Sequence, residues 1–290
     1  MNEQNRRLLM DTRFANPGAI QEAAQQRRHH PLEIGSDRLL IIAADHPARG
    51  VISVGRDATA MANRYDLLDR LTSALSIPGV DGVLGTPDII DDLLLLGALD
   101  DKIVFGSMNR GGLPGAVFEL DDRFTGYSPA SIVQGGLDGG KMLLRINLDD
   151  PGTANTLSAC ADAVTQLAAS QRIAMIEPFM NARTDKNPKN VLTTEAVMRS
   201  MAIASALGAT SAYTWLKVPV VEDMARVAEA STMPIVLLGG ERSDQPDEMY
   251  RRWETSLRLP GVRGLVVGRN LLYPHDNDVA TAVKTAVSLL

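Results

Sequence analysis

The chain has 290 residues, 45% of them hydrophobic, and a formal net charge of −6. That length can bury a sizeable core, either as two domains or as one α/β barrel. The acidic balance gives no electrostatic support to a nucleic-acid partner. The one cysteine, Cys160, cannot form an internal disulfide, which suits a reducing cytoplasm. It sits in the helical pattern NTLSACADAVTQLA and reads as a small core residue.

The first thirty residues, MNEQNRRLLMDTRFANPGAIQEAAQQRRHH, are polar and lack a signal-type apolar stretch. No apolar run approaches the roughly 20 residues that span a bilayer. A soluble, cytoplasmic protein with no membrane partner is therefore expected. The segment 1–37 precedes the first strand and is expected to be a helical extension capping one end of the fold.

From residue 38 onward, short apolar runs alternate with longer helix-like patterns. The strand candidates are RLLIIAAD (38–45), GVDGVLGT (79–86), KIVFGS (102–107), KMLLRIN (141–147), RIAMIEP (172–178), SAYTWLKV (211–218), PIVLLGG (234–240) and GLVVGR (264–269). Near-continuous apolar character with flanking Gly or Pro suits strands buried on both faces, as in parallel sheets. Helical patterns fall at 60–75, 87–99, 128–135, 153–170, 193–207, 221–230, 245–257 and 278–289. Eight strands alternating with eight helices predict a single (β/α)8 TIM barrel over 38–290. A doubly wound open sheet is the alternative, but AADHPARG after the first strand is not the GxGxxG turn such sheets use. The connection 108–127 after the third strand is unusually long, and loops of that length tend to be functional.

In a barrel, the C-terminal strand ends carry the site. Asp45 and His46 end the first strand, Glu177 the fifth, Gly239 and Gly240 the seventh, and Gly268 and Arg269 the eighth. Lys217 ends the apolar run of the sixth. Of 29 basic residues only six are lysine, at 102, 141, 186, 189, 217 and 284, so 23 are arginine. A chain that mostly uses arginine nevertheless places a lysine amine in an apolar strand, and only that amine can form a Schiff base. A free lysine amine is protonated at neutral pH; burial and a neighbouring cation favour the neutral, nucleophilic form. Lys141 supplies that cation if its strand begins earlier than the apolar run suggests. Glu177 is a candidate proton shuttle.

Structural roles remain open for each residue taken singly. Lys217 reads equally as a strand-end lysine, Asp45 as a loop cap, and Glu177 as a rim ion pair with Arg145 or Arg183. The loops after the last two strands, LLGGERSD and VVGRNLLYP, suit an anion, because glycines let backbone N–H groups approach it and Arg269 or Arg242 adds charge. Arg145, on the fourth strand, joins the substrate- and phosphate-binding candidates. The four histidines, at 29, 30, 46 and 275, are poorly distributed for a zinc site. No metal or other cofactor is expected, although a carboxylate site for Mg²⁺ is left open.

Over about residues 38–275 the pattern resembles the class I (Schiff-base) aldolases of the deoxyribose-phosphate, bacterial fructose-bisphosphate and tagatose-bisphosphate group. AADHPARG, GGKMLLRIN, MIEPF, WLKVPV, VLLGG and VVGRNLLY carry the likeness. The resemblance implies that Lys217 is the Schiff-base former and Glu177 the acid/base. It makes Lys141 a partner cation and Asp45 a residue orienting substrate hydroxyls. Gly239, Gly240, Gly268 and Arg269 would hold a phosphate. It also implies a small phosphorylated sugar as substrate and a homo-oligomer. The His46-Pro47-Ala48 turn and the long loop depart from the pattern near the substrate. The chain further resembles an actinobacterial subgroup associated with inositol breakdown, whose substrate would be 2-deoxy-5-keto-gluconate 6-phosphate. A metal-dependent isomerase, a thiolase-like Schiff-base enzyme and a non-catalytic sugar-phosphate binder are the competing classes.

Overall fold

The computed structural model describes residues 1–30, 38–109, 112–184 and 187–290. Among the described residues there are nine strands: β1 (Leu39–Ala43), β2 (Gly82–Gly85), β3 (Ile103–Ser107), β4 (Gly139–Ile146), β5 (Ile173–Thr184), β6 (Asn187–Asn190), β7 (Thr214–Pro219), β8 (Ile235–Leu238) and β9 (Val262–Val267). All except β6 run parallel, in the order β4-β3-β2-β1-β9-β8-β7-β5, and pairing of β4 with β5 closes the ring. The expected (β/α)8 barrel is therefore the fold. β6 is an addition to it, an antiparallel hairpin partner for the far end of β5.

The helices between strands form where the sequence caps them. Asn63 accepts from the backbone of Tyr65 and Asp66 to start α3 (Arg64–Leu75). Pro87 opens α4 (Pro87–Leu95), where a missing N–H costs nothing. Ser128 and Ser131 form a reciprocal cap on α5 (Pro129–Gln134). α6 (Gly152–Ala169), α7 (Thr194–Ser205), α8 (Met224–Glu229) and α9 (Pro246–Leu257) follow, with α10 (Arg269–Leu272) and α11 (Val279–Val287) after the last strand.

Two apolar layers result from strand alternation. Leu40, Ile42, Val83 and Val104 face the helices. Leu39, Ile41, Ala43, Ile103, Phe105, Ile173, Met175 and Trp215 fill the barrel interior. Phe105 and Trp215 meet there with ring centroids 5.7 Å apart. The interior is thus an apolar floor beneath whatever the next inward positions carry.

Outside the ring, α1 (Glu3–Ala15) packs on α3 and α4, with Arg6 over the Tyr65 ring and Arg13 paired with Asp92, and α2 (Gly18–Gln26) packs against α4. Arg27 anchors them. Its buried guanidinium donates to the carbonyls of Lys102 and Gly136, each at 2.8 Å, and lies 3.6 Å from Asp138. These partners immediately precede or lie close to the starts of β3 and β4, away from the C-terminal strand ends. Residues 31–37, Arg110, Gly111, Asp185 and Lys186 lie outside the described residues. Among the described residues no helix is long and apolar enough to cross a membrane.

Candidate active site

The alternation that points Leu39, Ile41 and Ala43 inward also points Asp45 inward. The same holds for Ser107 after Phe105, Glu177 after Met175, and Lys217 after Trp215. Lys141 stands opposite Ser107 on β3 and Met175 on β5, so it too faces inward. β4 begins at Gly139, two residues before the apolar run suggested, which makes Lys141 an interior residue of the strand.

These side chains form one connected cluster. Lys217 Nζ donates to Glu177 Oε1 at 2.6 Å. Lys141 Nζ pairs with Glu177 Oε2 and donates to Asp45 Oδ2 at 3.2 Å. Ser107 Oγ donates to the same Asp45 oxygen at 3.1 Å. Asp45 and Lys141 are 0% exposed, Lys217 3% and Glu177 7%. His46 Nδ1 lies 3.9 Å from the other Asp45 oxygen. Asp45 therefore does more than cap a loop, and Glu177 pairs with the two lysines. Of its alternative partners, Arg183 binds Asp150 at 3.1 Å and Arg145 turns elsewhere.

Two carboxylates and two ammonium groups held in such burial are costly to desolvate. An apolar replacement of similar volume would often be neutral or stabilising, so stability alone gives no reason for this arrangement. Buried, charged clusters at a barrel's C-terminal end are where chemistry is found.

The second group of candidates gathers at the ends of β8 and β9. Gly240 has φ +67°, a left-handed conformation that favours glycine. A Cβ on Gly268 would sit 2.2 Å from the Ala43 carbonyl oxygen, so only glycine permits β9 to leave so close to β1. Arg269 Nη2 donates to the Gly240 carbonyl at 3.2 Å. Asn270, which sequence reading overlooked, ties the two turns together. Its amide donates to the carbonyls of Gly239 and Glu241 at 2.8 and 3.0 Å and accepts from Ser243 N at 2.8 Å.

Arg145 does not join that group. It lies on β4, across the ring from β8 and β9. Its guanidinium donates to Asp122 at 2.8 and 2.6 Å and to the Glu119 carbonyl, with the Glu119 carboxylate 3.7 Å away. Arg145 therefore holds the loop after β3. Asn109 holds the loop's other root: its amide accepts from Leu143 N and donates to Leu143 O, both at 2.6 Å, prolonging the β3–β4 ladder with a side chain. On the far side, Arg49 Nε donates to Gly112 O at 2.7 Å, so the loop bridges from β4 to the β1 connection. Among the described residues no group of three or more His, Cys, Asp or Glu side chains is arranged to hold a metal ion.

Comparison with known proteins places this geometry in context. No curated protein matches. The structure of Cgl0159 from Corynebacterium glutamicum (Brevibacterium flavum) superposes with a TM-score of 0.97 at 57% identity, over 100% of this chain and 97% of that one. An archaeal fructose-1,6-bisphosphate aldolase, solved with its catalytic lysine covalently bound to the carbinolamine intermediate of its substrate, gives 0.66 at 16% identity, over 93% and 98% of the two chains. Fructose-bisphosphate aldolase from Slackia heliotrinireducens gives 0.64 at 16%, over 98% and 84%. These two likenesses establish a shared barrel fold. The sequence profile of the Cgl0159-like family matches residues 37–287, and the chain belongs to that family.

Proposed function

We propose that this protein is a class I aldolase that cleaves a phosphorylated keto-sugar or keto-sugar acid through a Schiff base on Lys217. The observation that carries the reading is the hydrogen bond between Lys217 and Glu177 inside a buried cluster whose other members are Lys141 and Asp45.

The charges of the cluster explain how a buried lysine becomes a nucleophile. With all four groups ionised, two positive and two negative charges balance. Moving one proton from Lys217 Nζ to Glu177 Oε1, across 2.6 Å, creates a neutral amine and a carboxylic acid. Lys141 remains paired with Asp45, and the net charge is unchanged. The amine then attacks the ketone carbon to give a carbinolamine. Protonation of its hydroxyl by Glu177 releases water and leaves an iminium.

The iminium accepts the electron pair of the adjacent carbon–carbon bond as that bond breaks. The hydroxyl on the departing carbon gives its proton to the Glu177 carboxylate and becomes an aldehyde. The remaining enamine is protonated on carbon, and water hydrolyses the resulting iminium to free the ketone and Lys217. The iminium is the electron sink, so the steps require no metal. The turns around Gly240 and Gly268, with Arg269, would hold the phosphate of the ketone half.

For the substrate, the resemblance of the chain to aldolases of inositol breakdown favours 2-deoxy-5-keto-gluconate 6-phosphate, giving dihydroxyacetone phosphate and malonic semialdehyde. Tagatose- or fructose-bisphosphate is the other option within the same chemistry. The test is intact mass after borohydride reduction in the presence of dihydroxyacetone phosphate. A stable adduct mapping to Lys217, absent from Lys217→Met, is expected. A folded wild-type protein that gives no adduct with this or other ketone phosphates would overturn the reading.

A further inference from the structure

A cavity of about 390 Å3 opens beside the charged cluster, between the ends of β2 and β3. Its walls are Ala48 from the β1 connection, Thr86, Pro87 and Asp88 from the start of α4, Ser107, and the returning loop at Thr125 and Gly126. It meets the cluster at Ser107, whose hydroxyl is on the cavity wall and donates to Asp45. The volume is many times that of a water molecule, whose share of the liquid is about 30 Å3. The cavity lies across the ring from the β8 end of the phosphate-type turns, with the Lys217–Glu177–Lys141–Asp45 chain between them.

The polar character of the walls is specific. Thr86 Oγ1 donates to Asp88 Oδ1 at 2.5 Å, and Asp88 pairs with Arg64. Asp92 binds both Arg13, at 2.7 Å, and Arg64, at 3.8 Å. Burial pushes the Asp88 carboxyl up, but the Thr86 hydrogen bond and Arg64 outweigh it and hold the group below the usual carboxylate range. The lining is therefore hydroxyl-bearing, with one carboxylate, Asp88, and no basic side chain, an environment that opposes a dianion.

We infer that this cavity receives the aldehyde half of the substrate, and that this half is a short, oxygen-bearing aldehyde without a phosphate. The inference rests on the aldolase reading and deepens it: the ketone half carries the phosphate, and bisphosphorylated ketoses are disfavoured. Ala48 sets the depth of the cavity and Asp88 its charge preference.

The test runs the reaction toward synthesis, with dihydroxyacetone phosphate as donor and glyceraldehyde, malonic semialdehyde or glyceraldehyde 3-phosphate as acceptor. The wild type should use one of the unphosphorylated acceptors with kcat/KM at least about tenfold above glyceraldehyde 3-phosphate, equivalent to a difference of about 1.4 kcal/mol. Ala48→Trp, which fills the cavity, should keep borohydride trapping of dihydroxyacetone phosphate but lose at least about tenfold in addition to either unphosphorylated acceptor. Asp88→Asn should narrow the preference against glyceraldehyde 3-phosphate, and this readout stands even if Ala48→Trp does not fold. Preference of the wild type for glyceraldehyde 3-phosphate overturns the inference. So does undiminished addition by a trapping-competent Ala48→Trp, or loss of trapping in a folded one, which would put the donor in the cavity. Failure of the wild type to trap dihydroxyacetone phosphate or any other ketone phosphate is a different result, because it removes the aldolase reading itself.

Discussion

Glu177 touches both lysines, and each contact makes a separate prediction. Glu177→Gln keeps the shape but cannot take the Lys217 proton, so kcat should fall by roughly 10²–10⁴, the range typical of a lost acid/base. Borohydride trapping, measured by mass over time, should slow in parallel. Lys217→Met leaves Glu177 paired with Lys141 and should fold. Lys141→Met takes the lysine partner from the fully buried Asp45, while Glu177 keeps Lys217, and should cost about 3–5 kcal/mol in a urea titration. Equal stability of the two variants would contradict the cluster as described. Cys160 offers a contrast. Burial, with the charge of Asp122 as the lesser cause, pushes its thiol up to about 12. Iodoacetamide should leave it unmodified in the native protein and alkylate it after denaturation, as peptide mapping would show. Lys217 could be singled out from sequence because an inward strand position is periodic. The Asp45–Lys141 contact could not, since 96 residues separate the partners.

At the scale of elements, the loop after β3 is the part whose organisation was least legible. Its length stood out, but not its anchors. Arg145 is 4% exposed and Asp122 0%, so Arg145→Met strands a buried carboxylate and should cost about 3–5 kcal/mol. The same variant should make the segment following Gly112 more sensitive to limited proteolysis; unchanged cleavage would mean that the loop is held by something else. β4 shows why strand boundaries were misjudged. Gly139 and Gly140 look like a turn, yet both are in the strand. A Cβ on Gly139 would lie 2.5 Å from Ile173 O, and one on Gly140 would lie 2.3 Å from Met108 Sδ. They are glycines because neighbours press close, and that is known only after the barrel closes. β5 likewise runs through Pro178 to Thr184, where a proline ordinarily suggests a strand's end.

Across the whole molecule, burial raises three tyrosines spread around the fold: Tyr250 and Tyr273 to about 12, and Tyr127 further. Their unfolded value is about 10. A raised folded value means that the native state favours the protonated phenol. The associated stability is present in full below about pH 10 and is lost as pH rises toward the folded values. In an alkaline titration these phenols should ionise together with loss of circular dichroism; their ionisation in a still-folded protein would contradict the packing around them. The sequence alone determined the (β/α)8 plan, because alternating apolar runs and capped helices of these lengths have few ways to bury both faces of a parallel sheet. It also singled out Lys217, Glu177 and Asp45, because barrel strands expose their inward side chains at one end. Tertiary structure decided the rest: that Lys141 points inward, that Arg145 holds a loop across the ring from the phosphate-type turns, and that Ser107 links the charged cluster to a cavity. Those are contacts between residues far apart in the chain, and their distances exist only once the ring of eight strands has closed.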